Sequence, residues 1–189
     1  MCAVLDVSAV AGVMNDVGVW WAVAGGWAID LWLGEQTREH HDIEVAIRRA
    51  DQRTMRQALD KTWELYCLDP PGSDWRRRSG GRIEQPAFQL QARSALGEFD
   101  VFLETVDDSE WQYRRDSRVR RPLLDVTTMT PSGPVVRPEV QLLYMATSDE
   151  LKNADEFSHA APRLDVDTRA WLKRHLTIAH PDHAWLGVL

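Results

Sequence analysis

Asp42 and Glu44 are the residues whose types and spacing most clearly predict chemistry. They lie two apart in the run Asp42-Ile43-Glu44-Val45-Ala46-Ile47, where apolar residues alternate with them. This alternation predicts a β-strand over residues 42–47, which would put both carboxylates on one face. Two like charges held this close are costly unless a cation neutralises them. Mg²⁺ prefers carboxylate oxygens and keeps coordination sites for a phosphate, so the pair predicts a magnesium site.

A glycine pair, Gly25-Gly26, precedes these carboxylates in the chain. It follows an apolar run at 19–24 that predicts a buried strand, and it precedes a predicted helix at 27–33. Glycine allows the backbone to approach a ligand closely, and N–H groups at the start of a helix bind phosphate. A glycine pair after a strand is by itself usually only a turn. Followed by two carboxylates on a strand, it predicts a metal–nucleotide site.

Asp100 is the candidate for a third carboxylate. Phosphoryl transfer with metal ions needs a group that orients or deprotonates the attacking hydroxyl. In the predicted strand at 98–103, Glu98, Asp100 and Glu104 share one face. Glu98 and Glu104 lie near its ends, where water solvates them more easily. We therefore expect Asp100 to act as general base and to contribute to metal binding.

Composition limits the class of protein. The 189 residues are 44% hydrophobic and 27% charged, as is ordinary for globular proteins, and the net charge is −7. This acidity argues against a nucleic-acid partner, which needs clustered Lys and Arg, although arginines do cluster between Arg114 and Arg121. Two cysteines are too few for a disulfide framework or a zinc site. With no apolar run of eighteen residues and no leader-like N-terminus, we expect no membrane association and a cytoplasmic protein.

The order of the predicted elements indicates an α+β protein. We expect a mixed α/β domain over residues 1–105, an irregular linker over 106–137 with candidate short strands near 124–127 and 135–136, and a helical unit over 138–189. The loop at 69–82 is predicted to be mobile over the site, because it is rich in Pro, Gly and Arg. The acidic pair Asp155-Glu156 is predicted to be solvated. The remaining predicted elements are helices at 4–17 and 51–61 and strands at 63–68 and 88–92.

The motifs resemble those of a known family. The segments Gly25-Gly26-Trp27-Ala28-Ile29-Asp30-Leu31, Thr37-Arg38-Glu39-His40 and Asp42-Ile43-Glu44 are similar to those of the aminoglycoside and lincosamide nucleotidyltransferases. These enzymes belong to the polymerase-beta-like nucleotidyltransferase superfamily. The resemblance is strong over residues 15–50 and moderate over 98–104 and 138–157.

The resemblance implies a fold and an activity. The fold would be a small mixed sheet flanked by helices, with a C-terminal helical unit and a cleft between the two. The activity would be transfer of a nucleoside monophosphate from a Mg²⁺-bound NTP, expected to be ATP, to a hydroxyl of a small molecule, with release of pyrophosphate. Aminoglycoside and lincosamide antibiotics are candidate acceptors.

The resemblance also implies roles for particular residues. Asp42 and Glu44 would hold the metals, and Asp100 would activate the acceptor. The expected contacts with the triphosphate are the backbone N–H groups of Gly25 and Gly26 and the side chains of Arg38 and Lys152. For Arg38 a structural contact with Asp42 or a surface position is the alternative, and for Lys152 a solvated position.

Two alternatives to this activity stay open. Met145 and Thr147 stand where related sequences are expected to carry lysines that contact the triphosphate. A non-catalytic nucleotide-binding or antitoxin-like module of the same fold is therefore one alternative. An enzyme that modifies a protein or an RNA is another. The identity of the acceptor, the base of the NTP and the oligomeric state, a homodimer included, stay open as well.

Overall fold

A computed structural model describes residues 5–148 and 150–189 of the chain. The described residues form helices and strands in the α+β order that the sequence predicts. The helices are α1 (Val7–Val17), α2 (Gly25–Leu33), α3 (Gln52–Leu59), α4 (Pro138–Met145), α5 (Leu151–Ala160) and α6 (Val166–Ala179). The strands are β1 (Trp21–Ala24), β2 (Glu44–Arg48), β3 (Glu64–Leu68), β4 (Trp75–Arg77), β5 (Gln89–Ser94), β6 (Gly97–Asp107), β7 (Glu110–Gln112), β8 (Arg120–Pro122), β9 (Thr127–Thr130) and β10 (Gly133–Val136).

The strands form one mixed sheet in the order β4-β3-β5-β6-β2-β1-β10-β9. The pairs β2–β6 and β1–β10 are parallel, and the other pairs are antiparallel. Two short strands, β7 and β8, continue from the end of β6. The predicted mixed α+β fold is confirmed, although the sheet has more strands than the small sheet we expected.

The two faces of the central strands have different surroundings. Val45 and Ile47 of β2 and Val101 and Leu103 of β6 are fully buried in the core. The alternate residues of the same strands point to the opposite face. That second face carries Glu44 and Ala46 of β2 and Phe102 and Glu104 of β6, and it faces α4 and α5 across a cavity. The sheet thus separates a hydrophobic core from a polar site.

The helices pack in two groups. α1 packs on α3, while α2 contacts both α4 and α5, and α4 contacts α6. α2 therefore connects the amino-terminal part of the sheet to the C-terminal helices. No helix in the described part of the chain is both long enough and apolar enough to cross a membrane.

The segment 106–137, predicted to be irregular, contains β7 to β10. β10 pairs in parallel with β1, with Val135 opposite Val23, and so extends the sheet. The strand candidate at 135–136 lies in β10, whereas the candidate at 124–127 overlaps β9 only at Thr127, because strands of three or four residues are too short for an alternating pattern to fix their bounds. The division into domains at residues 105 and 138 stays a prediction.

Two further local predictions differ from the structure. The segment 69–82 contains β4, which lies at one edge of the sheet, with β3, β5 and β6 between it and β2. The prediction that this segment covers the site is therefore wrong. β2 begins at Glu44 rather than at Asp42, so Asp42 lies on the approach to the strand. Asp42 is consequently exposed, whereas Glu44 is half-buried.

Candidate active site

The junction between β1 and α2 brings a glycine against a carboxylate. Gly25 is the first residue of α2 and has φ +66°, a left-handed conformation that favours glycine. A Cβ at this position would lie 1.6 Å from Oε2 of Glu44. Ala24, the preceding residue, is paired with Glu44 across the antiparallel strands β1 and β2. The missing side chain at position 25 therefore makes room for the Glu44 carboxylate.

The backbone N–H of Gly25 already has a partner. It donates to Oε1 of Gln141 on α4 at 3.0 Å. Gln141 is thus a site residue that the sequence did not reveal. A triphosphate could accept a hydrogen bond from this N–H only by replacing Gln141. The glycine next to it, Gly26, is crowded instead by side chains. A Cβ there would lie 2.4 to 2.6 Å from atoms of Arg38, His40 and Glu156.

Glu44 is a carboxylate without local compensation. It is the first residue of β2, and its partner in the parallel strand β6 is Asp100. Burial raises the pKa of Glu44 to about 8, and the charges of Asp42 and Asp100 contribute to the rise. Within the described chain, no donor forms a hydrogen bond with its carboxylate. A bound cation would supply the compensation that the protein lacks.

Asp100 is held behind the wall of the site by two glutamines. It is 8% exposed, and its Oδ2 and Oδ1 accept hydrogen bonds from Gln89 Nε2 at 2.8 Å and Gln91 Nε2 at 2.9 Å. Burial raises the pKa of Asp100, and these two hydrogen bonds oppose the rise. Gln89 lines the adjacent cavity and Asp100 does not. Gln89 therefore connects Asp100 to the surface of the cavity.

Arg38 forms a buried ion pair with Glu156 of α5. Its Nε donates to Oε1 of Glu156 at 2.8 Å, and its Nη2 contacts the same oxygen. Glu156 is fully buried, so the prediction that it is solvated was wrong. Its second oxygen, Oε2, is buried with no hydrogen-bond partner in the described structure. Arg38 and Glu156 are 118 residues apart in the sequence, so no local pattern predicts the pair.

The loop between α2 and β2 is fixed by Asp30. Oδ2 of this buried aspartate lies 2.5 Å from His40 Nε2, and its Oδ1 accepts a 2.6 Å hydrogen bond from the Thr37 hydroxyl. The His40 ring also packs against Trp27, with the ring centroids 4.6 Å apart. These contacts hold the loop that carries Arg38 and leads into Asp42.

Lys152 lies near the two carboxylates. Its ammonium pairs with Glu150 at 3.0 Å, and its side chain is 54% exposed. The bond to Glu150 raises the pKa of Lys152, and the charges of Asp42 and Glu44 add to the rise. The predicted residues Gly25, Gly26, Arg38, Asp42, Glu44 and Lys152 all line one cavity of about 360 Å³. The structure thus brings together all the predicted site residues except Asp100, which lies directly behind its wall.

The donor set fits magnesium that arrives with a nucleotide. In the part of the chain that the structure describes, no three His, Cys, Asp or Glu side chains are grouped as a complete metal site. Mg²⁺ is commonly bound by only one or two carboxylates together with substrate phosphates. Asp42 and Glu44 in the cavity wall supply two carboxylates, and the raised pKa of Glu44 indicates that the protein alone does not compensate its ionised form.

The opposite end of the cavity contains a second buried glutamate that the sequence analysis placed in solvent. Glu104 is 4% exposed, so that placement was wrong. Its Oε2 accepts hydrogen bonds from the Tyr144 hydroxyl at 2.6 Å and from Trp111 Nε1 at 2.7 Å. Arg114 Nη1 lies 3.3 Å from its Oε1. The one sequence signal was that Glu104 shares the Asp100 face of β6.

Aromatic rings surround the Arg114 guanidinium. Its central carbon lies 4.1 Å from the Phe88 ring centroid and 4.3 Å from that of Tyr144. Phe102, on β6 between Asp100 and Glu104, is 5.5 Å from the same carbon. Cation–π contacts of this kind fix a guanidinium over flat rings. This end of the cavity is therefore aromatic, whereas the end at Gly25 is polar.

Comparison with known proteins connects this geometry to a class of enzymes. A family model described as aminoglycoside-2''-adenylyltransferase matches residues 6–69, about a third of the chain. The chain resembles the antibiotic adenylyltransferases. Its fold is similar to that of the lincosamide antibiotic adenylyltransferase LnuA in a lincomycin-bound crystal structure, with a TM-score of 0.56 and 15% identity over 82% of this chain and 96% of that chain. It is also similar to ANT(2'')-Ia in complex with adenylyl-2''-tobramycin, with a TM-score of 0.54 and 15% identity over 88% of this chain and 98% of that chain. No curated protein sequence matches the chain.

These matches confirm the predicted resemblance and the enzyme class that it named, nucleotidyltransferase. At 15% identity the solved structures show the likeness of fold. The family match includes the glycine pair, Arg38, Asp42 and Glu44, but it ends before Asp100 and Lys152. The roles of the individual residues stay predictions.

Proposed function

We propose that this protein is a Mg²⁺-dependent nucleotidyltransferase that transfers AMP from ATP to a hydroxyl of a small molecule and releases pyrophosphate. One observation carries the proposal. A single cavity is lined by the glycine pair, by Asp42 and Glu44 and by two cationic side chains, and Asp100 is paired with Glu44 across neighbouring strands. The resemblance to adenylyltransferases makes ATP the expected donor.

The polar end of the cavity is suited to a nucleoside triphosphate. Asp42 and Glu44 would hold Mg²⁺, which when bound neutralises charge on the reacting and leaving phosphate oxygens. Arg38 and Lys152 line the same cavity and would contact the triphosphate through the N–H groups that their pairs with Glu156 and Glu150 leave free. The Gly26 N–H, at the start of α2, would add a backbone donor of the kind that binds phosphate at helix N-termini.

Asp100 would receive the proton of the acceptor hydroxyl. The bond that forms joins the acceptor oxygen to the α-phosphorus, and the bond that breaks joins that phosphorus to pyrophosphate. The negative charge on pyrophosphate is then held by the cationic side chains. The hydrogen bonds from Gln89 and Gln91 keep Asp100 in place and oppose the effect of burial on its pKa. They thereby favour the ionised form that a general base requires.

The test is nucleotide binding and turnover of Asp42→Asn. Asp42 is exposed, so the substitution should leave the fold intact. We expect loss of Mg²⁺-dependent ATP binding in calorimetric titrations of the four NTPs, and a fall of at least about 100-fold in pyrophosphate release, because one metal carboxylate is lost. Asp60→Asn, at another exposed aspartate, is the matched control. Turnover retained by Asp42→Asn would contradict the proposed mechanism.

A non-catalytic nucleotide-binding module is the second candidate. Met145 and Thr147 line the cavity without contributing a cation, and the Thr147 hydroxyl is bonded to the Tyr144 carbonyl. Mg²⁺-dependent ATP binding without pyrophosphate release in the presence of any acceptor would favour this candidate.

Two further measurements address the acceptor and the oligomeric state. Mass spectrometry of the products distinguishes a modified small molecule from a modified protein or RNA. Light scattering during turnover measures whether the protein acts as a homodimer.

A further inference from the structure

The order of the strands shows on which side of the metal carboxylates an acceptor would bind, given the proposed function. Gly25 and Gly26 follow β1, Glu44 begins β2 and Asp100 lies on β6, and these three strands are neighbours in that order. In an in-line displacement the attacking oxygen lies opposite the leaving pyrophosphate. With the triphosphate at the glycines, the acceptor would lie on the Asp100 side of Glu44, against β6 and β5.

That side of the cavity is walled by aromatic rings. Phe88 immediately precedes β5, Phe102 lies on β6, Trp111 lies on β7 and Tyr144 faces them from α4. Phe88, Phe102 and Tyr144 are only partly buried, and Arg114 covers one side of these rings, so a ligand would use the ring surface that Arg114 leaves uncovered. Flat apolar or aromatic groups gain both buried area and favourable ring contacts on such a wall.

The carboxylates of the cavity wall are already neutralised, apart from the pair assigned to the metal. Glu104 is held by Arg114, Glu156 by Arg38 and Glu150 by Lys152. A polycationic acceptor has to exchange its hydration for contacts with carboxylates, and for each of these three it would compete with an arginine or a lysine of the protein. To bind any of these three carboxylates in full, the acceptor would first have to break an ion pair within the protein.

The charge left over at the aromatic end is positive. Arg115 lines the cavity and is exposed, and its Nη1 donates to the Tyr144 carbonyl at 3.0 Å. No carboxylate of the described residues forms an ion pair with it. Its guanidinium is therefore available to an anionic group of a ligand, and it repels an ammonium group.

We propose that the acceptor is a hydroxyl compound that carries a flat aromatic or apolar group and is neutral or anionic, rather than a polycation. The inference depends on the proposed function, because it assigns the two ends of the cavity from the direction of nucleotidyl transfer. It separates this chain from ANT(2'')-Ia, whose bound product is an adenylylated tobramycin.

Four commercial probes test the proposal in calorimetric titrations with Mg²⁺ and a non-hydrolysable ATP analogue present. p-Nitrophenyl β-glucoside and methyl β-glucoside share the sugar and differ only in the group on the anomeric oxygen, which is a nitrophenyl ring in the first and a methyl group in the second. p-Nitrophenyl β-glucuronide adds one negative charge, and tobramycin is the polycation. We expect the nitrophenyl glucoside to bind about tenfold more tightly than the methyl glucoside, the glucuronide to bind at least as tightly, and tobramycin to bind most weakly.

Two substitutions sharpen the result. Phe88→Leu should remove most of the preference for the nitrophenyl ring, and Arg115→Glu should weaken the glucuronide and strengthen tobramycin. Arg53→Glu, an exposed charge reversal on α3, is the matched control and should change neither. Tobramycin binding more tightly than the aromatic glucosides would overturn the proposal, and so would equal affinity for the two glucosides.

The ATP analogue separates this proposal from the proposed function. If the analogue binds with Mg²⁺ but none of the aromatic probes binds, the acceptor proposal is overturned and the nucleotide site stands. If the analogue itself does not bind, the proposed function fails, and the acceptor assignment fails with it because its reference point is lost.

Discussion

Two glutamates in the wall of one cavity are held in opposite ways. Glu104 accepts hydrogen bonds from Tyr144 and Trp111 and pairs with Arg114. Glu44 has no such donor and faces other acids, and burial raises its pKa to about 8. A buried carboxylate with a full set of donors stabilises the fold, whereas one without donors needs a partner from outside. Glu44 is therefore the position for an added cation, whereas at Glu104 the protein supplies the cation itself, as Arg114.

The surroundings explain why the two ends differ. Glu44 lies against Gly25, which has no side chain to donate, and the nearby Asp42 and Asp100 add negative charge. At Glu104 large side chains from distant parts of the chain converge. The same residue type thus becomes a ligand position or a structural one according to what packs around it.

Gly25→Ala should have the largest effect, because it fills the space that Glu44 occupies. The new Cβ would overlap Oε2 of Glu44 and would also sit at a positive φ. We expect a loss of about 3 kcal/mol or more in the free energy of unfolding, measured by urea denaturation, together with loss of pyrophosphate release. Gly34→Ala is the matched control, because Gly34 has a similar φ of +78° with nothing within 4 Å of the added carbon. It should cost only about 1 kcal/mol. Equal losses for the two variants would show that the contact with Glu44 has no energetic consequence.

Glu104→Gln should destabilise the fold by about 2 to 3 kcal/mol. The amide removes the negative charge that compensates the mostly buried Arg114 guanidinium. Urea denaturation at constant pH measures the change. Glu110→Gln removes an exposed glutamate 4.0 Å from Arg120 and should change stability by less than about 1 kcal/mol. If both variants lose the same small amount, the aromatic end of the cavity is not held by this charge.

Glu44→Gln should have the opposite sign, stabilising the nucleotide-free protein by about 2 kcal/mol at pH 8. The folded pKa of Glu44 lies above the unfolded value, so the folded state binds its proton more tightly. Wild-type stability should therefore fall as the pH rises from about 5 to about 8, and the variant should lose this slope. Burial is the largest cause of the raised pKa of Glu44; the charges of Asp42, Asp100 and Glu156 add to it, and that of Lys152 opposes it.

Thermal denaturation at pH 5, 7 and 8 measures the difference. Adding Mg²⁺ and the ATP analogue should stabilise the wild type and leave the variant unchanged, because the cation then supplies the missing compensation. A variant that is less stable than the wild type at every pH would show that the Glu44 carboxylate stabilises the fold, as the Glu104 carboxylate does.

The sequence predicted the Glu44 end of the cavity better than the Glu104 end for a physical reason. Gly25, Gly26 and Glu44 lie within one β1–α2–β2 unit, so their spacing and the apolar alternation around them are local signals. The same local signals predicted the mixed α+β fold. The position of Asp100 opposite Glu44 followed from the alternation along β6.

Contacts between distant segments could not be predicted in this way. Glu156 looked like part of a solvated acidic pair, yet it is buried against Arg38, and Gln141 reaches Gly25 across 116 positions of sequence. The sequence indicated a short strand at 135–136, within β10, but the pairing of β10 with β1 had no signal in the sequence. Pairing of this kind depends on tertiary packing, which one sequence does not encode as a local pattern.

Gln89→Ala should have the smallest effect and the most specific one. Gln89 and Gln91 each donate one hydrogen bond to Asp100, but only Gln89 lines the cavity. Both alanine variants remove a bond that favours the ionised carboxylate, so the pKa of Asp100 should rise further in each and turnover at pH 6 should fall by about tenfold. Only Gln89→Ala should also change the KM of the acceptor, because Gln89 lines the cavity and Gln91 does not. Steady-state kinetics at pH 6 and pH 8 separate the two effects. Identical KM values in the two variants would mean that the acceptor reaches Asp100 without passing Gln89, and the acceptor side of the cavity would then have to be reassigned.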